Sequence, residues 1–174
     1  MNHVDGVYTK QDYEKVEGYL QAYSPQMALF WAIGVDTGYR VSDILRLSVT
    51  DISPEGKISL IERKTGKEKI AYLSPHSKAK FDAYIALYGM SPRDYIFFDC
   101  ASAKEVKPVS RQYVWRMIRQ AGQAVGLPRL NLAHIQRARH MLGGGFWPQP
   151  HLTKHSLPST TNFSPPRLGM SREE

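Results

Sequence analysis

The sequence contains little cysteine and no long apolar run. Cys100 is the only cysteine among 174 residues, which excludes a disulfide framework within the chain and a zinc site built from several cysteines. No apolar segment approaches the ~18–20 residues needed to cross a bilayer. The first residues, Met1-Asn2-His3-Val4-Asp5, lack the charged and then apolar pattern of a signal peptide. We therefore expect a cytoplasmic protein that does not span a membrane.

Positive charge is in excess. The chain has 23 lysines and arginines against 16 aspartates and glutamates, a formal net charge of +7. An excess of this size favours a polyanionic partner. Nucleic acid and an acidic membrane surface both satisfy that condition, and the charge alone does not choose between them.

Apolar periodicity predicts a mixed fold, mainly α-helical with a small antiparallel β-hairpin. The second helix is apolar on nearly all sides and is therefore expected at the centre of the core. A short amphipathic helix is expected after Arg40. The other elements are predicted as helices over about 9–22, 25–35, 75–88, 110–125 and 130–142, and as strands over 57–62 and 68–73.

The composition of the chain changes from about Ala138. Residues 138–174 hold five of the 11 prolines and four of the 13 glycines, and no apolar period persists there for two turns. We therefore expect a domain core over residues 1–137 and an irregular tail over 138–174, either disordered or disturbed in its reading frame.

Four polar side chains form a candidate constellation: Arg40 at a helix junction, Lys64 at the tip of the hairpin, and His134 and Arg137 one helical turn apart. Asp43 is a candidate ion-pair partner for Arg40. Two arginines, a lysine and a histidine suit a phosphoryl group, since guanidinium groups grip its oxygens while lysine and histidine move protons.

Each of these residues also has an ordinary structural interpretation. Arg40 and Asp43 are compatible with a structural salt bridge, and a basic hairpin tip is usually a solvated turn. His134 and His140 have no carboxylate or thiol at ligand spacing, so no metal site is predicted.

Three segments resemble the tyrosine recombinases, the phage-integrase family. Thr37-Gly38-Tyr39-Arg40-Val41-Ser42-Asp43-Ile44-Leu45-Arg46-Leu47 resembles their first arginine box, whose usual form is Thr-Gly-x-Arg-x-Ser-Glu/Asp-x-x-x-Leu. Arg63-Lys64-Thr65-Gly66-Lys67 resembles their lysine hairpin. His134-Ile135-Gln136-Arg137 resembles their second box, His-x-Leu-Arg, with Gln136 in place of leucine. The resemblance covers roughly residues 9–137, and beyond it the segment around His155 resembles the family's histidine box.

The resemblance implies a fold, a reaction and partners. A tyrosine hydroxyl of the family attacks a DNA phosphodiester to form a 3′-phosphotyrosyl link, which the 5′-hydroxyl of another strand reverses, with no metal or nucleotide cofactor. The implied partners are double-stranded DNA and, if the protein is active, a recombinase tetramer. By position, Arg40 and Arg137 would clamp the phosphate and Lys64 would be the general acid. His134 would assist proton transfer, with His155 beside them, while Asp43 would support Arg40.

The sequence departs from the family at the nucleophile. All ten tyrosines lie at or before Tyr113, and the position nine residues after His155 is Ser164. A serine does not replace the tyrosine by default, because its geometry and its leaving-group chemistry differ. The chain also begins close to the catalytic domain, without the family's N-terminal DNA-binding arm.

These departures predict a truncated recombinase domain that is inactive by itself. The expected location is the nucleoid-associated cytoplasm of a bacterium, with a bacterial or phage-encoded origin. A residual non-specific DNA-binding module and a pseudogene-like remnant without activity are the alternatives.

Overall fold

A computed structural model describes residues 9–99 and 107–141 of the chain. The described part is mainly helical with two small antiparallel sheets, which confirms the predicted fold class. Its elements in chain order are α1 (Lys10–Tyr23), α2 (Pro25–Thr37), α3 (Val41–Ile44), a 3-10 turn (Val49–Asp51), β1 (Lys57–Ile61), β2 (Glu68–Tyr72), α4 (Pro75–Tyr88), β3 (Phe98–Asp99), β4 (Lys107–Pro108), α5 (Arg111–Ala124) and α6 (Leu132–Met141).

Helix α2 is the centre of the core. Every residue of α2 from Met27 to Thr37 is buried, as the apolar run predicts, and the helix packs against α1, α4 and α6. The Trp31 ring stacks on Tyr13 of α1, and the Phe30 ring meets Phe97 edge to face. A helix surrounded on several sides gives the residues at its end a rigid base, which matters for the site below.

The helix starts follow local sequence signals. Thr9 and Asp12 form the predicted capping box at α1, with bonds of 3.1 and 3.2 Å. Ser24 accepts the N–H of Met27 at the start of α2, and Pro25 occupies the first turn. These caps satisfy backbone donors that otherwise lack partners at a helix N-terminus.

Strands β1 and β2 form the predicted antiparallel hairpin, with Lys57 opposite Tyr72 and Ile61 opposite Glu68. Helix α6 continues to Met141, past residue 138, where the sequence predicts the irregular tail to begin. The rest of that predicted tail, including His155 and Ser164, lies outside the described residues. No helix in the described ranges is both long enough and apolar enough to span a membrane.

Candidate functional site

The turn after α2 presents Arg40 from the end of the central helix. Gly38 ends α2 in the left-handed conformation, φ 64°, which favours glycine because any side chain is strained there. The Thr37 hydroxyl donates to the carbonyl of Ile33 at 2.7 Å and accepts the N–H of Tyr39 at 3.2 Å. Arg40 follows in extended conformation and flanks the start of α3. The Thr-Gly-x-Arg pattern therefore folds into a braced turn.

The guanidinium of Arg40 contacts Glu62, a residue that the sequence analysis did not select. Arg40 Nη1 lies 2.7 Å from Glu62 Oε2, just beyond the end of β1. Nη1 is buried without the angular geometry of a hydrogen bond, so the contact is mainly an attraction between charges. About a third of the Arg40 side chain, 34%, is exposed. The remaining guanidinium N–H groups are the part of Arg40 that an anion can approach.

The predicted pairing of Asp43 with Arg40 is wrong. Asp43 pairs with Arg46, whose Nη2 lies 3.0 Å from Asp43 Oδ1. A helical i,i+3 contact between Arg40 and Asp43 would require helical backbone at Arg40. Arg40 precedes α3 in extended backbone, so its side chain points away from Asp43 towards the hairpin. Arg46 also reaches the carbonyl of Ile61 at 3.5 Å and so forms a second contact between this segment and β1.

The Glu62 side chain is buried, 3% exposed, and three side chains contact its carboxylate. Besides Arg40, they are Lys69 Nζ at 2.6 Å and the Thr65 hydroxyl at 2.8 Å. The Lys69 ammonium, the Thr65 hydroxyl and the Arg40 guanidinium hold the pKa of Glu62 at about 2, below its ordinary value of 4.5. The carboxylate therefore stays ionised at neutral pH, and its negative charge is shared between Arg40 and the hairpin.

Lys64 is exposed in the turn that joins the two strands. The turn is closed by backbone bonds from Gly66 N–H to the Glu62 carbonyl at 2.8 Å and from Glu62 N–H to the Lys67 carbonyl at 2.9 Å. Lys64 thus sits two residues beyond the carboxylate that pairs with Arg40, on a long side chain open to solvent.

Tyr39 attaches the turn after α2 to the hairpin. Its hydroxyl lies 3.1 Å from the carbonyl of Ile58 on β1 and 2.9 Å from that of Lys69 on β2. Burial raises the pKa of Tyr39 to about 12, so the hydroxyl keeps its proton and acts as a donor. The residue next to Arg40 therefore holds both strands of the lysine-bearing hairpin.

Helix α6 lies close against the end of α2. A Cβ placed on Gly34 would lie 2.5 Å from Ile135 Cγ2, so only glycine permits this approach. Arg139 donates to the carbonyl of Thr37 at 2.7 Å, and Gln136 Nε2 lies 3.5 Å from that of Gly38. These contacts occupy carbonyls at the C-terminal end of α2, where positive groups are favoured.

His134 and Arg137 occupy different environments on α6. His134 is buried, and its Nδ1 accepts the backbone N–H of Asn131 at 3.1 Å. In the neutral ring this bond places the proton on Nε2. Arg137 is exposed and makes no ion pair within the described part of the chain. His155 falls outside the described residues, so its place relative to Arg40 and Arg137 stays a prediction.

Four residues of this site had no role in the sequence-based prediction: Tyr39, Glu62, Gln136 and Arg139. Glu62 carries the clearest signal, a single acidic residue at a strand end directly before a basic turn. Gln136 occupies the position where the family pattern has leucine, and it contacts the turn after α2. Tyr39 and Arg139 have no distinctive local signal, because their partners lie far away in the sequence.

Comparison with known proteins places most of the chain in one family. The model of the family described as "Phage integrase family" matches residues 8–146. The chain is 24% identical over 168 residues to the probable integrase/recombinase YoeC of Bacillus subtilis (strain 168), an alignment that covers 92% of this chain and 88% of that protein.

Solved structures of recombinases share the fold. The XerA recombinase superposes with a TM-score of 0.64 at 17% identity, covering 80% of this chain and 49% of that one. A lambda integrase tetramer bound to a Holliday junction gives 0.60 at 20% identity, covering 80% of this chain and 43% of that one. The chain thus spans most of YoeC but less than half of these two solved chains.

Proposed function

The chain belongs to the phage integrase family, and on that premise we propose that it binds duplex DNA with a backbone phosphate held at Arg40. In this proposal residues 1–137 are the core of a recombinase catalytic domain. Arg40 and Arg137 hold phosphate oxygens, Lys64 protonates a leaving 5′-oxygen, His134 assists proton transfer, and His155 completes the pocket. The solved lambda integrase tetramer on a Holliday junction supports DNA as the partner and a tetramer as the working assembly.

The observation that carries the proposal is that three chain segments meet: the turn at residues 37–40, the hairpin and α6. The hairpin reaches the turn through Tyr39 and Glu62, and α6 reaches it through Gln136 and Arg139. A phosphoryl-transfer site works mainly by positioning charges around the phosphate. The cations assigned by sequence position lie on these three segments, which are braced against one another.

An exposed basic face supports nucleic acid as the partner. Arg111, Arg116 and Arg119 are exposed on α5, and Trp115 among them is 42% exposed with the Arg119 guanidinium 5.2 Å from its ring centre. Arginines with an interleaved aromatic residue suit a phosphate backbone and stacked bases. Together with the net charge of +7, this face favours DNA over a neutral ligand.

We further propose that the chain by itself does not cleave DNA. It has no tyrosine after Tyr113, and Tyr39, adjacent to Arg40, is buried with its hydroxyl bonded to the hairpin. The test is incubation with a pool of nicked suicide duplexes of randomised sequence, followed by denaturing electrophoresis. We expect no covalent protein–DNA adduct. An adduct whose link maps to any residue of this chain would overturn this part of the proposal.

DNA binding is tested by fluorescence anisotropy with a labelled duplex across a salt series. Binding through phosphates gives a log–log slope of roughly −0.9 per phosphate contacted. Arg40→Ala should weaken binding about tenfold, since a charge-assisted contact is lost. Arg93→Ala, which removes an equal charge from an exposed loop, is the matched control and should change it by less than about twofold.

A non-specific DNA-binding module is the second candidate, and the basic face of α5 is the observation that favours it. The same experiment separates the two candidates. If Arg40→Ala weakens binding no more than Arg93→Ala, while an Arg116→Ala and Arg119→Ala double variant weakens it strongly, the phosphate site at Arg40 is refuted and the module is favoured.

A further inference from the structure

Glu62 connects two parts of the proposed site. Arg40 lies on one side of its carboxylate, and Lys69 and Thr65 of the hairpin lie on the other. A buried carboxylate needs opposite charge and hydrogen bonds to compensate for lost water. Here two cations and one hydroxyl, from three separate positions, contact one side chain that is 3% exposed.

These contacts involve two of the cations in the proposed function. Arg40 pairs directly with Glu62. Thr65 directly follows Lys64 and Glu62 precedes Lys64 by two residues, so the 2.8 Å bond between Thr65 and Glu62 closes the turn that carries Lys64. The Gly66 N–H bond to the Glu62 carbonyl closes the same turn through the backbone. The Glu62 side chain thus contacts Arg40 and also closes the turn that presents Lys64.

The ion pair with Glu62 leaves part of the Arg40 guanidinium available to another anion. A guanidinium has five N–H donors in a rigid plane, and Glu62 contacts Arg40 at Nη1. The Arg40 side chain is 34% exposed, whereas that of Glu62 is 4% exposed. The carboxylate therefore holds the guanidinium from the protein side, while the other edge faces solvent.

We propose that Glu62 is a positioning residue that holds Arg40 and the Lys64 turn in one fixed relation for a DNA phosphate. The proposal rests on the proposed function, in which those two cations contact the phosphate. It differs from a role in charge neutralisation alone. A neutralising carboxylate competes with phosphate for Arg40, so its removal strengthens DNA binding, whereas a positioning carboxylate works only at the correct distance.

The variant Glu62→Asp separates the two roles, because it keeps the charge and withdraws the carboxylate by one methylene. We expect it to weaken binding to a short fluorescent duplex about threefold to tenfold, a partial loss of one charge-assisted contact. The matched control is Glu68→Asp on the same hairpin, where the exposed carboxylate bonds Ser59 instead. The control should leave affinity within about twofold.

Non-additivity provides the second criterion. In an Arg40→Ala background, Glu62→Asp should cause a smaller loss than in wild type, and in an Arg40→Ala and Lys64→Ala double background it should cause none, since both residues it positions are gone. Thr65→Val removes the hydroxyl that donates a hydrogen bond to Glu62. Thr65 lies in an exposed turn, so we expect the variant to fold. It should weaken binding in the wild-type background and have no effect in a Lys64→Ala background. Unchanged affinity in both Glu62→Asp and Thr65→Val, or additive losses, would overturn the proposal.

A spectroscopic measurement distinguishes failure of this proposal from failure of the proposed function. If Arg40→Ala does not weaken DNA binding, the proposed function fails, and the positioning claim is then decided by NMR of the free protein. Glu62→Asp should shift the Arg40 Nε–H signal and the amide signals of residues 63–67, whereas Glu68→Asp should not shift the Arg40 signal. Identical Arg40 spectra in wild type and Glu62→Asp would refute positioning whatever DNA binding shows.

Discussion

Replacing Gly34 by alanine tests the contact that places α6 against the central helix. The added Cβ would lie 2.5 Å from Ile135 Cγ2, whereas packed carbon atoms sit about 3.5–4.0 Å apart. The two helices must therefore separate by about 1 Å, or Ile135 must leave its rotamer. Either response moves the helix that carries His134 and Arg137.

The magnitude follows from two opposing terms. Overpacking of this kind costs about 1–3 kcal/mol, while glycine to alanine inside a helix returns about 0.5–1 kcal/mol. We expect a net loss of about 1–2 kcal/mol in the free energy of unfolding. For a chain of this size that lowers the thermal midpoint by about 2–8 °C.

Gly18→Ala in α1 is the matched control, because a Cβ there meets nothing within 4 Å. It should raise the free energy of unfolding by about 0.5–1 kcal/mol. Both variants would be measured by urea and thermal denaturation. Ile135→Leu removes the Cγ2 methyl, so it should partly rescue Gly34→Ala. A Gly34→Ala protein stabilised as much as Gly18→Ala, or a double variant with strictly additive losses, would refute the close packing of α2 and α6.

Three further predictions concern buried polar groups. Because the pKa of Glu62 is held at about 2 against an ordinary 4.5, its stabilisation is present above pH 4.5 and is lost as the pH falls through about 2. Glu62→Gln should therefore flatten the acid limb of the urea midpoint plotted against pH, and parallel curves would contradict this. Burial raises the pKa of Asp36 above 3.8, so its ionisation costs stability as the pH rises. The free energy of unfolding of Asp36→Asn should therefore rise relative to that of wild type between pH 3 and pH 7. A difference between the two proteins that does not change with pH would exclude the effect. Tyr39→Phe should cost about 1 kcal/mol, because the hydroxyl bond to the hairpin carbonyls is lost. Urea denaturation at neutral pH measures that loss, and unchanged stability would show that the hydroxyl does not brace the hairpin.

Local patterns in the sequence were sufficient for the helices and for the β1–β2 hairpin, but not for the short pair of β3 with β4. These patterns connect residues that lie only a few positions apart, so the sequence itself shows which residues interact. Examples are the cap formed by Thr9 and Asp12, the apolar run of α2 and the alternation in β1. The Thr-Gly-x-Arg and His-x-x-Arg patterns also identified the segments that meet at the site. Both patterns depend on short spacings that the chain itself defines.

The sequence did not determine which charges pair. Asp43 is three residues from Arg40 and looked like its partner, yet Arg40 pairs with Glu62, and Asp43 with Arg46. Arg40 lies before α3 in extended backbone, so its distance of three residues from Asp43 does not become a helical contact. Its actual partner lies at the end of β1, in the hairpin that Tyr39 attaches to the turn after α2.

By itself, then, the sequence determined the family, the elements and the candidate cations of the site. Only the tertiary structure decided how those cations are held. Glu62 acts between a turn and a hairpin, and Arg139 bonds a carbonyl 102 residues away. The Arg139 contact depends on how closely α6 approaches α2, which here depends on the absence of a side chain at Gly34. Packing of that kind is a property of the assembled core and has no local signature in the chain.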